Sequence, residues 1–458
     1  MQEIQLETVN SLLQKIAENQ TQNNIPYSAY LHIPFCRRRC YYCDFPISVL
    51  GNKTNIDTSV AIAEYVEVLC QEIAVTPKFG QSLKTVFFGG GTPSLLNVKN
   101  LDRILEALSQ RFGIASDAEI SMEIDPGTFT REQLKGYLQA GINRVSVGVQ
   151  AFQDELLQLC GRSHSGDDIY VAIEEFRQVG VENFSIDLIS GLPHQTLQQW
   201  QTSLESAIAL SPAHLSCYDL VLEPVTAFGK QYQPGETPLP DDEITAQMYR
   251  LAQQMLTEAG YQHYEISNYA KTGYQCRHNR VYWENRPYYG FGMGAASYVC
   301  DRRFTRPRTR VEYAAWVQQL KDKEDRIDGS ETSPCDRLLE TLMLGLRLRE
   351  GVNLSQLRKQ FGEKVLDKIW TCLQPYTRQG WVEWITKDEI AIKDTQDLFG
   401  FKQIKLTDPE GFLFSNTVLA ALFEKLGGTR DRIRKQGIYV KRKIVVPLQS
   451  VLKKFHNS

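Results

Sequence analysis

Apolar positions in the first half of the chain follow two alternating periods. The runs Tyr30–Ile33, Thr85–Phe88, Glu119–Ile124, Arg144–Val149, Phe184–Ile189 and His214–Leu220 have the length and the β-branched or aromatic content of strands. Between them, Ala61–Ile73, Leu101–Phe112, Arg131–Ala140, Asp168–Val179 and Leu197–Leu210 space their apolar side chains as one face of a helix does. Strands alternating with helices predict a parallel sheet, because a parallel neighbour is reached only through a crossover. Repeated units without an early reversal predict an α/β fold built as a partial TIM-like (β/α) barrel, with an open doubly wound sheet as the alternative. From about Ser330 the period turns helical, over Cys335–Leu346, Leu354–Phe361 and Glu363–Gln379, and ends in a hairpin-like Trp381–Ile392. This predicts a smaller, mostly helical, winged-helix-like C-terminal domain. The chain then divides into a helical lead-in (1–29), a barrel with an extension (30–329), the C-terminal domain (330–426) and a basic tail (427–458).

Chemistry-bearing residues gather where the predicted strands end. Cys36, Cys40 and Cys43 follow the first, Gly89-Gly90-Gly91-Thr92 the second, Glu123 and Asp125 close the third and Gln150 the fourth. Asp187 belongs to the fifth run, and Tyr218 and Asp219 to the sixth. In a β/α barrel the C-terminal strand ends share one face, so these groups would ring the cysteine loop. Singly, each reads as a helix cap, a tight turn or a solvated loop residue. The C-x3-C-x2-C spacing sets three thiolates on one loop with no fourth cysteine nearby. A closed zinc site or an ordinary iron–sulfur cluster takes four protein ligands. Three thiolates suit a 4Fe–4S cubane with one uncapped iron, and zinc stays open as the other reading. The glycines offer free N–H groups, the carboxylates suit an ammonium or ribose hydroxyls, and Arg162 can fork onto a carboxylate. S-adenosylmethionine carries all of those groups.

Composition narrows the setting. A chain of 458 residues with 42% hydrophobic and 23% charged residues is an ordinary globular sequence, too long for one simple core. A net charge of −3 gives no reason to expect nucleic acid as a partner. There is no long apolar run, and the polar start MQEIQLETVNSLLQKIAENQ does not read as a secretory signal. Ten cysteines without an export signal read as reduced thiols and point to the cytoplasm. The tail is different: Arg430, Arg432, Arg434, Lys435, Lys441, Arg442, Lys443, Lys453 and Lys454 face a single acid, Asp431. Such a basic–apolar segment can rest on an anionic membrane surface, or simply stay solvated.

The segments YLHIPFCRRRCYYCDF, VFFGGGTPS, EIDPGTF, RVSVGVQAFQDELLQLCGRSH, SIDLISGLP, HYEISNYA and CRHNRVYW resemble the radical S-adenosylmethionine superfamily. Within it they resemble the group that holds oxygen-independent coproporphyrinogen III oxidases and HemW-type heme chaperones. The resemblance runs from Tyr30 to about Phe423. It implies that Cys36, Cys40 and Cys43 ligate a 4Fe–4S cluster. It also implies that adenosylmethionine contacts Tyr30, Tyr42, Gly90, Gly91, Thr92, Glu123, Gln150, Arg162 and Asp187. In such proteins an electron from a flavodoxin- or ferredoxin-type donor enters the cluster and adenosylmethionine is cleaved. The oxidases carry a further cysteine two residues after the third, where this chain has Phe45, and a longer N-terminal extension than the 29 residues preceding Tyr30. Both departures favour the heme chaperones, which pass heme to acceptor proteins, and leave the decarboxylating oxidase as the alternative. The HNRVYW stretch resembles the heme-associated motif of that subgroup, making His278 the candidate heme ligand. Read without the resemblance, His278 is a capping residue beside packed Tyr282 and Trp283. The other histidines lack metal-ligand spacing, and His32 reads as a hydrogen-bonded core residue. In this family the C-terminal domain implies a cover for substrate or partner rather than a DNA-binding wing. Homodimerisation stays open.

Overall fold

The computed structural model describes residues 25–51, 60–321, 329–388, 390–392 and 400–427. Most of the expected lead-in and nearly all of the basic tail lie outside the described residues. Six parallel strands pair in chain order: β1 (Ser28–Ile33), β2 (Leu83–Gly90), β3 (Ile114–Ile124), β4 (Arg144–Gln150), β5 (Phe184–Ser190) and β6 (His214–Asp219). An order without reversal is that of a barrel, not of a doubly wound sheet. Tyr289–Phe291 adds in parallel to the free side of β1, and the antiparallel pair Gln262–Glu265 and Asn268–Ala270 extends the sheet beyond β6. The nine strands end on different edges and so form a partial barrel.

Local chemistry fixes the crossover helices. Arg131–Ala140, Gly166–Val179 and Leu197–Leu210 each start on a capping box, formed by Thr130 with Gln133, Ser165 with Asp168 and Thr196 with Gln199. A cap of this kind stabilises a helix by about 1 kcal/mol. On Val98–Arg111 the buried set Leu101, Ile104, Leu105 and Leu108 keeps helical spacing and packs onto the sheet. On β5, Ile186 and Leu188 join that core while Ser185 and Asp187 turn to the other face.

Two buried devices brace the first strand. Arg306 pairs with Glu72 at 2.7 Å with both side chains almost fully buried, and Tyr313 Oη and the Gly292 N–H also donate to Glu72. Tyr65 donates to the His32 carbonyl at 2.6 Å and accepts from the Met293 N–H. The helix Val60–Val75 therefore clamps the chain just before the cysteine loop.

The C-terminal part has helices Pro334–Gly345, Leu354–Phe361, Glu363–Arg378 and Ser415–Gly427 around a four-stranded antiparallel sheet that includes Val382–Thr386 and Phe401–Leu406. Its apolar cluster is shared: Ile266, Val281, Tyr282, Trp283 and Tyr288 pack together with Leu339, Leu342 and Phe423. Among the described residues no helix is long and apolar enough to cross a membrane.

Candidate functional site

The three cysteines lie on the loop after β1, half-buried and outside any disulfide, at the mouth of a cavity that reaches down the inside of the barrel. Cys36, Cys40, Tyr42, Cys43, Gly90, Gly91, Thr92, Glu123, Gln150, Arg162 and Asp187 all line that one cavity. Tyr30 stands beside it, its hydroxyl donating to His32 Nδ1 at 3.1 Å while His32 Nε2 donates to the Pro46 carbonyl at 2.9 Å. His32 is thus the bonded core residue its place in the strand suggested. Asp219 turns away and fronts a separate small cavity near Gly191.

The glycines are there for contact. Gly90 has φ +111°, and a Cβ on it would strike the His32 ring. A Cβ on Gly91 would meet the Phe35 and Ile33 carbonyls at 2.7 and 2.8 Å, so the turn packs flat on the cysteine strand. Gln150 also holds φ +71°, a conformation that costs a non-glycine residue about 1–3 kcal/mol and that clusters at ligand sites.

Arg162 anchors the polar ring. Its Nη2 donates to Asp125 Oδ1 at 2.5 Å and to the Gly148 carbonyl at 2.8 Å, and its Nη1 reaches Cys40 Sγ and Tyr42 Oη, both at 3.5 Å. Thr92 Oγ1 donates to Asp125 Oδ2 at 3.0 Å and lies 3.7 Å from Cys36 Sγ. Glu123 accepts the Gly90 N–H at 3.0 Å, and burial pushes its carboxyl up to about 8, with the Gly90 bond opposing and Asp187 and Asp125 adding. Burial likewise raises the Asp187 carboxyl, opposed by hydroxyls of Ser216, Ser146 and Ser185. Burial pushes the Cys36 thiol up to about 12, opposed by Thr92 and reinforced by Asp125.

Below this ring the barrel interior is polar where such barrels are usually filled with branched apolar layers. Ser185 Oγ bonds His214 Nδ1 at 2.8 Å, His214 Nε2 bonds Tyr264 Oη at 2.8 Å, and buried Arg144 reaches Asn183. Sequence reasoning missed this layer. Its signal was a polar residue at matched registers of neighbouring strands: Glu123 opposite Ser146, Ser185 opposite His214 and Asp187 opposite Ser216.

His278 does not join the ring. It lies in the short helix Arg277–Trp283 at the N-terminal strand ends, 1% exposed, where Glu119 accepts the Arg277 and His278 backbone N–H groups. Its Nδ1 is bonded to Thr85 Oγ1 and its Nε2 to Tyr282 Oη, each at 2.8 Å, and its ring stacks on Phe87. Both nitrogens that could meet an iron are engaged inside the protein. Burial pushes its imidazole down to about 3, so the ring is neutral.

Three thiols on one loop, with Arg162 and Thr92 beside them, are the donors a cluster with one uncapped iron would use. A tetrahedral zinc draws its sulfurs together at about 2.3 Å from one centre. A cubane takes one thiolate at each of several corners and tolerates wider spacing. Arg162 Nε, buried and without a partner, is a donor still to be satisfied in this cavity.

Residues 30–207 match the Radical SAM superfamily and residues 332–385 the HemN C-terminal domain. The chain is 51% identical over 403 residues to the heme chaperone HemW of Synechocystis sp., covering 88% of this chain and 97% of that one. The chain belongs to the HemW family of radical SAM proteins. Other members are 39% identical: HemW of Bacillus subtilis, with 74% of this chain and 86% of that one covered, and HemW of Escherichia coli, with 71% and 83%. The fold is that of the coproporphyrinogen III oxidase HemN from Escherichia coli, a radical SAM enzyme, at TM-score 0.70 and 23% identity over 87% of this chain and 90% of that one. The family implies a 4Fe–4S cluster and S-adenosylmethionine; the partial α/β barrel is the architecture expected from the periodicity, while the C-terminal part carries a four-stranded sheet in place of the expected two-strand wing.

Proposed function

We propose that this chain is a heme chaperone. It holds a 4Fe–4S cluster on Cys36, Cys40 and Cys43, S-adenosylmethionine in the strand-end cavity, and heme for transfer to acceptor proteins. The observation that carries this reading is the likeness to a heme chaperone over 97% of its length. Phe45, beside the cluster loop where the oxidases place a further cysteine, supports it over propionate decarboxylation.

The cluster and adenosylmethionine, when bound, supply one-electron cleavage of a sulfonium. The chain's own residues supply geometry and charge. Asp125 fixes the Arg162 guanidinium against the Gly148 carbonyl, and the unsatisfied Nε of Arg162 is ready for a ligand carboxylate. Glu123 and Asp187 give acceptors for an ammonium or for hydroxyls. Gly90 and Gly91 keep side-chain bulk out of the floor. Electrons would come from a flavodoxin- or ferredoxin-type donor, and peripheral contact of the basic tail with anionic membranes is part of the same proposal.

One anaerobic incubation tests the function. Reconstituted protein, adenosylmethionine, a reductant and coproporphyrinogen III are combined and resolved by chromatography, with heme titrated in parallel. The expected result is heme binding without decarboxylated porphyrinogen; decarboxylated product would make the protein an oxidase.

A further inference from the structure

The segment that carries the three cysteines, Cys36 to Phe45, also carries three consecutive arginines, Arg37, Arg38 and Arg39, and one acid, Asp44. Each arginine is tied down by a neutral backbone carbonyl. Arg37 Nη1 donates to the Gly127 carbonyl at 2.8 Å, Arg38 Nη1 to that of Arg162 at 3.1 Å, and Arg39 Nη1 to those of Cys43 and Phe45 at 3.3 and 3.1 Å. Arg308, from a distant part of the chain, joins them by donating to the Asp44 carbonyl at 2.8 Å. Arg38, Arg39 and Arg308 are exposed and Arg37 is half-buried. Among the described residues no carboxylate lies within ion-pair distance of any of the four, whereas Arg162, just inside the cavity, is paired with Asp125. A carbonyl holds a guanidinium in place without cancelling its charge, and a bond from one Nη leaves the other donors of the fork to solvent. Beside these cations lies an apolar patch. Tyr41 is 45% exposed and Leu159 37% exposed, and they adjoin, since the Tyr41 N–H donates to the carbonyl of Cys160, the residue after Leu159.

Uncompensated cations held at fixed places beside an exposed aromatic and aliphatic surface fit an acidic protein that packs an apolar edge against this loop. We propose that Arg37, Arg38, Arg39 and Arg308 dock an acidic, flavodoxin-type electron donor, with the exposed edge of its flavin against Tyr41 and Leu159. The inference rests on the reading of the cysteine loop as a cluster site fed by an external donor. It selects a flavoprotein because the apolar patch offers a flat ring and an aliphatic side chain to a flat partner. In the docked pair one electron leaves the reduced flavin and is taken up at the cluster, so the donor is oxidised and the cluster reduced by that electron. Three of the arginines lie between Cys36 and Cys40, and a partner that reaches them is therefore already at the outer edge of the loop.

The test measures binding first. Oxidised flavodoxin is titrated calorimetrically into the reconstituted full-length protein, and fully reduced flavodoxin is then mixed with it anaerobically while cluster absorbance is followed. Wild type is compared with Arg38→Glu/Arg39→Glu/Arg308→Glu, with the milder Arg38→Gln/Arg39→Gln/Arg308→Gln, and with an equal charge reversal in the C-terminal part, Lys359→Glu/Lys364→Glu/Lys368→Glu. Iron content is measured throughout. Wild-type binding should weaken between about 50 mM and about 500 mM salt. At the lower salt the reversal variant should bind flavodoxin about tenfold more weakly than wild type, or weaker still, and be reduced by it correspondingly more slowly. The neutral variant should fall between, and the C-terminal variant should match wild type. Reduction by the methyl viologen radical cation, which needs no docking, should not slow in any variant with intact iron. If reversal disturbs the iron content, the neutral variant decides. Unchanged flavodoxin binding in the loop variants, an equal loss in the C-terminal variant, or wild-type binding indifferent to salt would each overturn the surface. Binding of a plant-type ferredoxin or of phosphatidylglycerol vesicles through the same arginines, in place of flavodoxin, would overturn the partner. All of these leave the chaperone reading standing; a wild type that takes up no iron and sulfide would overturn the cluster reading itself.

Discussion

Replacing Asp125 with Asn is the sharpest probe of how the cavity is held together. Asp125 is 22% exposed and Arg162 8% exposed at the side chain, so the pair sits mostly outside solvent screening. The substitution keeps the size of the group and leaves the guanidinium with neutral acceptors, the Gly148 carbonyl at 2.8 Å and the long contacts to Cys40 and Tyr42 at 3.5 Å. Removing one partner of a buried ion pair costs about 3–5 kcal/mol. The partial exposure of Asp125 lowers the expected cost to roughly 2–3 kcal/mol, a shift of about 30- to 150-fold in the folding equilibrium. The assay is urea unfolding of the metal-free protein for Asp125→Asn, Arg162→Met and the double variant. Each single change should be costly, and the double should cost less than both together by about 1.5 kcal/mol or more. Additivity to within about 0.5 kcal/mol would refute the idea that this pair organises the ring.

Three further outcomes follow from the same geometry. His278 is held neutral with its imidazole pushed down to about 3, so the unfolded chain binds a proton that the folded chain refuses as pH falls below the ordinary histidine value. Stability should therefore drop from about pH 6.5 downward, by up to about 4 kcal/mol from this residue, and urea midpoints of His278→Gln against wild type should converge in that range; a pH-independent difference would count against it. Glu123, pushed up to about 8 by burial, must ionise to meet the cationic end of adenosylmethionine. Affinity should rise with pH until about 8 and then level, and equilibrium dialysis of Glu123→Gln should show no such rise. Flotation with anionic liposomes should weaken in high salt and when the chain stops at Gly427, and equal flotation of both forms would remove the tail from membrane contact.

Legibility along the chain followed the kind of signal. Helices whose boundary chemistry was local came out at their observed ends: Arg131–Ala140 and Leu197–Leu210, read from apolar spacing, run between a threonine cap and a left-handed residue. Strand β3 begins at Ile114, earlier than Glu119, because Ile114 pairs with Leu83 across a register break that takes in Ala115 to Ala118, a stretch with no alternation to mark it. The cysteine loop, the glycine turn and Arg162 were legible only as a set, since the strand order brings them to one cavity. The polar interior was not, since a serine inside a strand is silent until the register of the neighbouring strand is known. His278 marks another limit of local reading: its place as a candidate ligand came from the resemblance alone, and Thr85, which takes one of its nitrogens, lies 193 residues away in the chain.

The helix Arg277–Trp283 closes the barrel on one side and, through Val281, Tyr282 and Trp283, belongs to the apolar cluster of the C-terminal part on the other. The two stretches that match separate families are therefore not interchangeable modules. A barrel cut before Pro334 would present those aromatics to water and to one another, and a graft of the C-terminal part from a distant relative would meet a floor shaped for a different cover. The constraint reaches the cysteine loop as well, because Cys276 and Asn279 at the start of that helix line the same cavity as Cys36, Cys40 and Cys43.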